Sequence, residues 1–287
     1  MKRDRVRMWN FLLAILCVLL FVVLAYFLID NQKSEGAEKQ GLEQIVKNQQ
    51  DGTKANTQKK NDSKQDTSTE KTTESTEEES QLKVTGITCW GDEFLKKSDA
   101  ETYSYPAVLQ KMLDENGYDL TVQSKMLGGG STLSVMKMAG VSDEILDGYV
   151  QSHLEEHGSS VAITETGIRD FTEEELERND QNDIPIIFMG YYGGWNHDVE
   201  ELIEQQQEIL DTFDANKDKF LIVGILPADG NVDASTYTEA MEEKWGEHYI
   251  SATSAASPNA VASYSGQSNI AETLYEKLVE LKYITKE

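Results

Sequence analysis

Cysteine is almost absent from this sequence of 287 residues: there are two, Cys17 inside an apolar stretch and Cys89 far along the chain. Two thiols so placed cannot form a disulfide framework, and Cys89, set in an apolar run, reads as a small core residue. Basic residues are scarce as well, with 26 Lys and Arg against 51 Asp and Glu, a net charge of −25. From Leu82 onward the counts are 14 and 38, so nearly all the imbalance lies in that part of the chain. Such a surface repels nucleic acid and anionic polymers, which excludes nucleic-acid binding. Only four histidines are present (His153, His157, His197 and His248). His153 and His157 share one helix spacing, but no third ligand accompanies them, so both read as surface residues and not a metal site. No Pro-, Gly- or Ser-rich break interrupts residues 82–287, which argues for one domain of roughly 205 residues.

One long hydrophobic run exists, from Phe11 to Ile29, preceded by Lys2, Arg3, Arg5 and Arg7. About 19 apolar residues suffice for a helix to cross roughly 30 Å of hydrocarbon. The run ends Leu-Ala-Tyr-Phe-Leu-Ile-Asp without an Ala-x-Ala site, and Ala14-Ile15-Leu16 before Cys17 fits lipoprotein cleavage poorly, so it reads as a signal anchor. The positive cluster stays in the cytoplasm and the rest lies outside. Between the anchor and Leu82, Lys, Gln, Asn, Asp, Thr, Ser and Glu dominate, and such a segment cannot offset its ordering entropy by burial. The expected organisation is a cytoplasmic basic tail (1–10), a transmembrane anchor (11–29), a disordered polar stalk (30–81) and an extracytoplasmic domain (82–287).

Within that domain apolar runs alternate with helical patterns. Lys83–Trp90 reads as a strand stopping at Gly91-Asp92, Asp119–Gln123 as a second, and Asp183–Gly190 and Phe220–Leu226 as continuous apolar strands buried on both faces. His248–Ile250 completes the set. Helical spacing marks Tyr105–Asn116, Val199–Phe213, Ser235–Trp245 and Ser268–Lys282. Residues 141–182 carry no clear period. Strands alternating with helices imply an α/β fold with a parallel sheet, whose ligand crevice lies at the carboxyl ends of the strands. That rim holds Gly91–Phe94, Gly128–Thr132, Gly190–Asn196 and the loops at Pro227 and Pro258. Asp92 and Glu93 together with His197-Asp198 are candidates for an acid/base pair or a cation site, weighed against the abundance of acids in this chain. Tyr191, Tyr192 and Trp195 beside glycines suit either a sugar-stacking platform or a packed aromatic rim.

Ile87-Thr-Cys-Trp-Gly-Asp-Glu-Phe94 resembles the first block of the SGNH (GDSL) hydrolases, in which a strand runs into Gly-Asp-Ser-Leu. Leu127-Gly-Gly-Gly-Ser131 is similar to the second block, Ile186–Trp195 to the third, and the helix from Gly266 to the one that follows that family's catalytic histidine. The blocks stand in the right order across residues 82–281. The resemblance implies a flavodoxin-like three-layer sandwich and, in active members, a serine nucleophile, a histidine base and an oxyanion hole of backbone N–H, glycine and asparagine. This sequence departs from that set: Glu93 stands at the nucleophile position, Val261 at the histidine, Pro258 at the aspartate and Tyr192 at the asparagine, with Asn196 as the substitute if the loop is longer than in the family. The expectation is a non-catalytic SGNH-like domain, with no cofactor, that binds an envelope glycan or protein partner through Glu93, Gly129, Tyr192, Trp195 and Asn196. The alternative is an ester hydrolase with rearranged residues acting on envelope polymers. Few cysteines, the polar stalk and the anchor suit the cell membrane of a Gram-positive bacterium.

Overall fold

The computed structural model describes residues 84–213, 218–257 and 260–286. The expected tail, anchor and stalk, and Pro258, lie outside the described residues. Among the described residues no helix is long and apolar enough to cross a membrane.

Five strands form one parallel sheet: β1 (Gly86–Asp92), β2 (Thr121–Leu127), β3 (Ile184–Phe188), β4 (Leu221–Gly224) and β5 (Tyr249–Ser251). Their order in the sheet is β2-β1-β3-β4-β5, the doubly wound order of flavodoxin-like proteins. β1 and β3 are buried along their whole length, as continuous apolar runs require when helices cover both faces. Side chains alternate between those faces. Ile87 and Cys89 join Ile186, Phe188 and Val223 under the helices α2 (Tyr105–Glu115) and α9 (Tyr264–Glu280). Trp90 and Ile187 join Leu133, Leu202 and Met241 on the other side, under α3 (Thr132–Met138), α4 (Asp143–His157), α6 (Val199–Leu210) and α7 (Ala234–Trp245). Three short helices complete the chain: α1 (Lys97–Tyr103), α5 (Ile163–Thr166) and α8 (Ala252–Ala255).

Several boundaries differ from the expected ones, for physical reasons. β1 continues through Gly91 and Asp92, and β2 reaches Leu127, because the two strands pair in register up to Asp92 opposite Leu127. Partner strands, not local periodicity, set those ends. The last helix begins at Tyr264 because Ser263 caps it, its side chain accepting from the Gly266 N–H at 3.1 Å. The unreadable stretch 141–182 contains the 15-residue helix α4, whose stripe is narrow: only Leu146 and His153 are buried. Phe171–Arg178 forms turns and no helix. Arg178 ties the return of this stretch to the core. Its guanidinium lies over the rings of Trp90 and Phe213, at 5.0 and 4.8 Å, and pairs with the fully buried Asp180 at 2.7 Å.

Candidate functional site

The chain passes from β1 outward to β2 and then returns across β1 to β3, so the order in which strands are added reverses between β1 and β3. In open α/β sheets the crevice at such a switch point, outside the carboxyl ends of the strands, is where ligands bind. Gly91 closes the two strands tightly there: it has φ +127°, and a Cβ would stand 1.9 Å from the Phe188 carbonyl oxygen. Only glycine fits.

Asp92 follows, fully buried. Its Oδ2 accepts from the Tyr191 N–H at 2.8 Å, while Oδ1 has no partner. Burial pushes its pKa up to about 8, against the pull of the Tyr191 and Gly190 backbone. Glu93 leaves the sheet: its N–H donates to Leu127 O at 3.0 Å, and its Oε1 accepts from the Leu95 N–H at 2.8 Å. Burial raises its pKa above the ordinary glutamate value, opposed by the Leu95 and Phe94 N–H groups. Across the crevice the Tyr192 hydroxyl donates to Glu93 O at 3.1 Å. The Phe94 ring packs among the neighbouring aromatics, its centre 5.1 Å from Phe188, 5.3 Å from Tyr191 and 6.3 Å from Tyr192. Beside Glu93 an open cavity of about 410 Å³ runs between α1, α2 and β2, lined by Glu101, Ser104, Gln110 and Val122 among others.

Of the residues expected to bind a ligand, Glu93 and Tyr192 meet here, and Gly129 is exposed in the turn from β2 to α3, with φ +70°. The other two go elsewhere. Trp195 is fully buried; its indole N–H donates to Gly190 O at 2.8 Å and its ring packs on Tyr237, so it offers no stacking face. The aromatic character of the Gly-rich loop is legible in sequence, but which ring faces inward is set by the left-handed backbone of Gly193 and Gly194. Asn196 turns its amide toward Glu156 and His157 of α4 and not toward Glu93. Val261, at the position the resemblance gives to histidine, is a core residue 1% exposed. His197 and Asp198 do not join Asp92 and Glu93. His197 pairs with Asp229 on the next loop at 2.7 Å, and Asp198 caps α6 by accepting from the Glu200 N–H. Among the described residues no three His, Cys, Asp or Glu side chains gather in a metal-holding group.

Comparison with protein-family models, curated proteins and solved structures finds no match for this chain. The site therefore stands on its geometry.

That geometry includes residues with no sequence signal. His153, expected on the surface, is completely buried in α4. Its Nδ1 bonds Glu165 O at 2.6 Å and its Nε2 bonds Glu201 Oε1 at 2.7 Å. Glu165 in α5 holds the rim loop, its Oε2 accepting from the N–H groups of Gly194 (3.0 Å) and Asn196 (2.8 Å). Gln205 donates to Gly194 O and to Glu201 Oε1, both at 2.7 Å, and the Thr132 hydroxyl donates to the same Gly194 carbonyl. Most of these contacts join residues of different elements, from 11 to 62 positions apart, so no local pattern announces them. The only visible hint is the i,i+4 spacing of His153 and His157, and it points to a different chemistry.

Proposed function

We propose that this protein is a membrane-tethered, extracellular SGNH-hydrolase-like domain that no longer hydrolyses esters and instead binds an envelope glycan or a protein partner at the switch-point crevice. The observation that carries the reading is Glu93. It follows β1 where an active relative would have its serine, and its Oε1 is engaged by the Leu95 N–H at 2.8 Å. With Val261 buried in the core at the histidine position, neither an activated hydroxyl nor a base to take its proton is present in the expected places, and loss of either removes most transition-state stabilisation. The sheet order supports the family likeness, and the cavity between α1, α2 and β2, which shares Glu93 with the crevice, offers space for a ligand beside it. The acidic surface disfavours anionic polymers and suits a neutral glycan or a basic protein face.

A second reading, an ester hydrolase with rearranged residues, is favoured by one observation: the His197–Asp229 pair at the same rim, an arrangement in which a carboxylate orients a general base. Hydrolysis of short acyl esters and acetylated wall glycans by the full-length protein separates the two. The binding reading expects the wild type, Glu93→Ala and His197→Ala to be equally inert. Turnover lost in His197→Ala would establish the second reading, and turnover lost in Glu93→Ala would overturn the first.

A further inference from the structure

The rim loop Gly190–Asn196 is held in an uncommon conformation. Gly190, Gly193 and Gly194 have φ between +94° and +116°, and Asn196 and His197 follow at +52° and +57°. Two consecutive non-glycine residues in the left-handed region store strain that the surroundings must offset. The offset comes through Glu165, whose carboxylate takes two of the loop's N–H groups, and α5, which carries Glu165, is itself tied to α4 through His153.

The bonding around His153 constrains its protonation. One ring nitrogen faces the Glu165 main-chain carbonyl, which can only accept. The other faces Glu201 Oε1, which already accepts from Gln205 Nε2. A neutral imidazole has one N–H and one lone pair, so it satisfies one partner and turns a lone pair on the other at 2.6 or 2.7 Å. Only the doubly protonated ring donates to both. Glu201 of α6 and Glu165 of α5 are the charged groups that face it, and Glu156 and His157 lie one turn further along its own helix, joined to Asn196.

We infer that His153 is a buried imidazolium that latches α4, α5 and α6 together, and that loss of its proton leaves one of its two bonds, to Glu165 in α5 or to Glu201 in α6, unmade and loosens the rim loop that both elements hold. The functional meaning rests on the binding reading above, because the loop so held carries Tyr192. The sign follows from the partners. Although burial alone opposes the charged ring, Glu201 and the Glu165 carbonyl outweigh it and raise the pKa above that of free imidazole. A raised folded-state value means that the latch contributes fully below the unfolded value of about 6.5 and is lost as pH rises through the folded value. The loop is therefore closed in acid and loosens as pH rises through the raised folded-state value.

The test is a pH titration of the full-length protein by NMR, following the His153 ring together with amide exchange at Gly194 and Asn196. Exchange is corrected for its intrinsic base catalysis. His153 is expected to titrate above free imidazole, with corrected exchange at both amides rising at least tenfold over the same pH interval. In Glu201→Gln, which keeps the shape and an acceptor but removes the charge, the ring and the exchange step are expected to move together to lower pH by about one unit or more. A His153 value at or below that of free imidazole overturns the inference. So does exchange that stays level while the ring titrates, or an exchange step that Glu201→Gln does not move. No ligand enters these measurements, so a failed search for a ligand and a failed latch are told apart.

Discussion

Asp92 illustrates how much the environment of one carboxyl can decide. Fully buried, with one oxygen bonded and the other without a partner, it holds its proton up to about pH 8. A raised carboxyl pKa means that the folded state binds the proton more tightly than the unfolded chain, so this group subtracts stability as pH rises from about 4 toward 8. Asp92→Asn removes the ionisation while keeping an oxygen for the Tyr191 N–H. The melting temperature of the variant relative to wild type is expected to increase steadily between pH 5 and pH 9, in calorimetry at fixed ionic strength. A difference independent of pH would show that the buried carboxyl does not titrate. At Gly91 the constraint is steric: a methyl group at φ +127° meets the Phe188 carbonyl at 1.9 Å. Gly91→Ala is expected to cost about 4 kcal/mol or more, at the upper end for single substitutions, read as a fall in the urea midpoint with unchanged m. A cost below about 1 kcal/mol would contradict the close approach of β1 and β3.

Among the elements, the stretch 141–182 lies between β2 and β3 and holds the rim loop through Glu165, which accepts from the Gly194 and Asn196 N–H groups. Its return is fastened by Arg178, stacked on Trp90 and Phe213 and paired with Asp180, which is 0% exposed. Removing one partner of a buried ion pair leaves an uncompensated charge, whereas an apolar replacement of both is tolerated far better. Arg178→Ala is thus expected to destabilise by about 3–5 kcal/mol. Arg178→Met with Asp180→Leu should recover most of that loss, and equal losses in both variants would show that the uncompensated Asp180 charge is not its source. These contacts also explain why the segment was illegible. Its helices present few apolar side chains, and its order comes from pairs formed across the chain.

For the whole molecule, charge is the dominant feature. With 14 basic against 38 acidic residues from Leu82 onward, self-repulsion opposes the compact state. Raising the salt from about 10 mM to about 150 mM shortens the screening length from about 30 Å to about 8 Å. The gain is expected to be about 1 kcal/mol, or about 2–4 °C in melting temperature for a domain of this size. A melting temperature that falls with salt would mean that surface ion pairs outweigh the net repulsion. The buried pairs Arg178–Asp180 and His153–Glu201 are screened little and should not change its direction.

The sequence by itself determined the α/β class, the five strands and four of the longer helices, and the place of Glu93 and Gly190–Asn196 at the carboxyl ends of strands. Continuous apolar runs and amphipathic stripes are local properties, and burial on both faces follows from them directly. Glu93 and Tyr192 were legible for the same reason, since both sit just beyond such runs. What the tertiary structure alone decided was the direction of individual side chains in the rim. Trp195 turned into the core, Asn196 toward α4, and His153 left the surface to become the centre of a polar network. Each of those outcomes depends on backbone conformations and acceptors contributed by distant segments, whose approach is set by packing and cannot be read from neighbours in sequence.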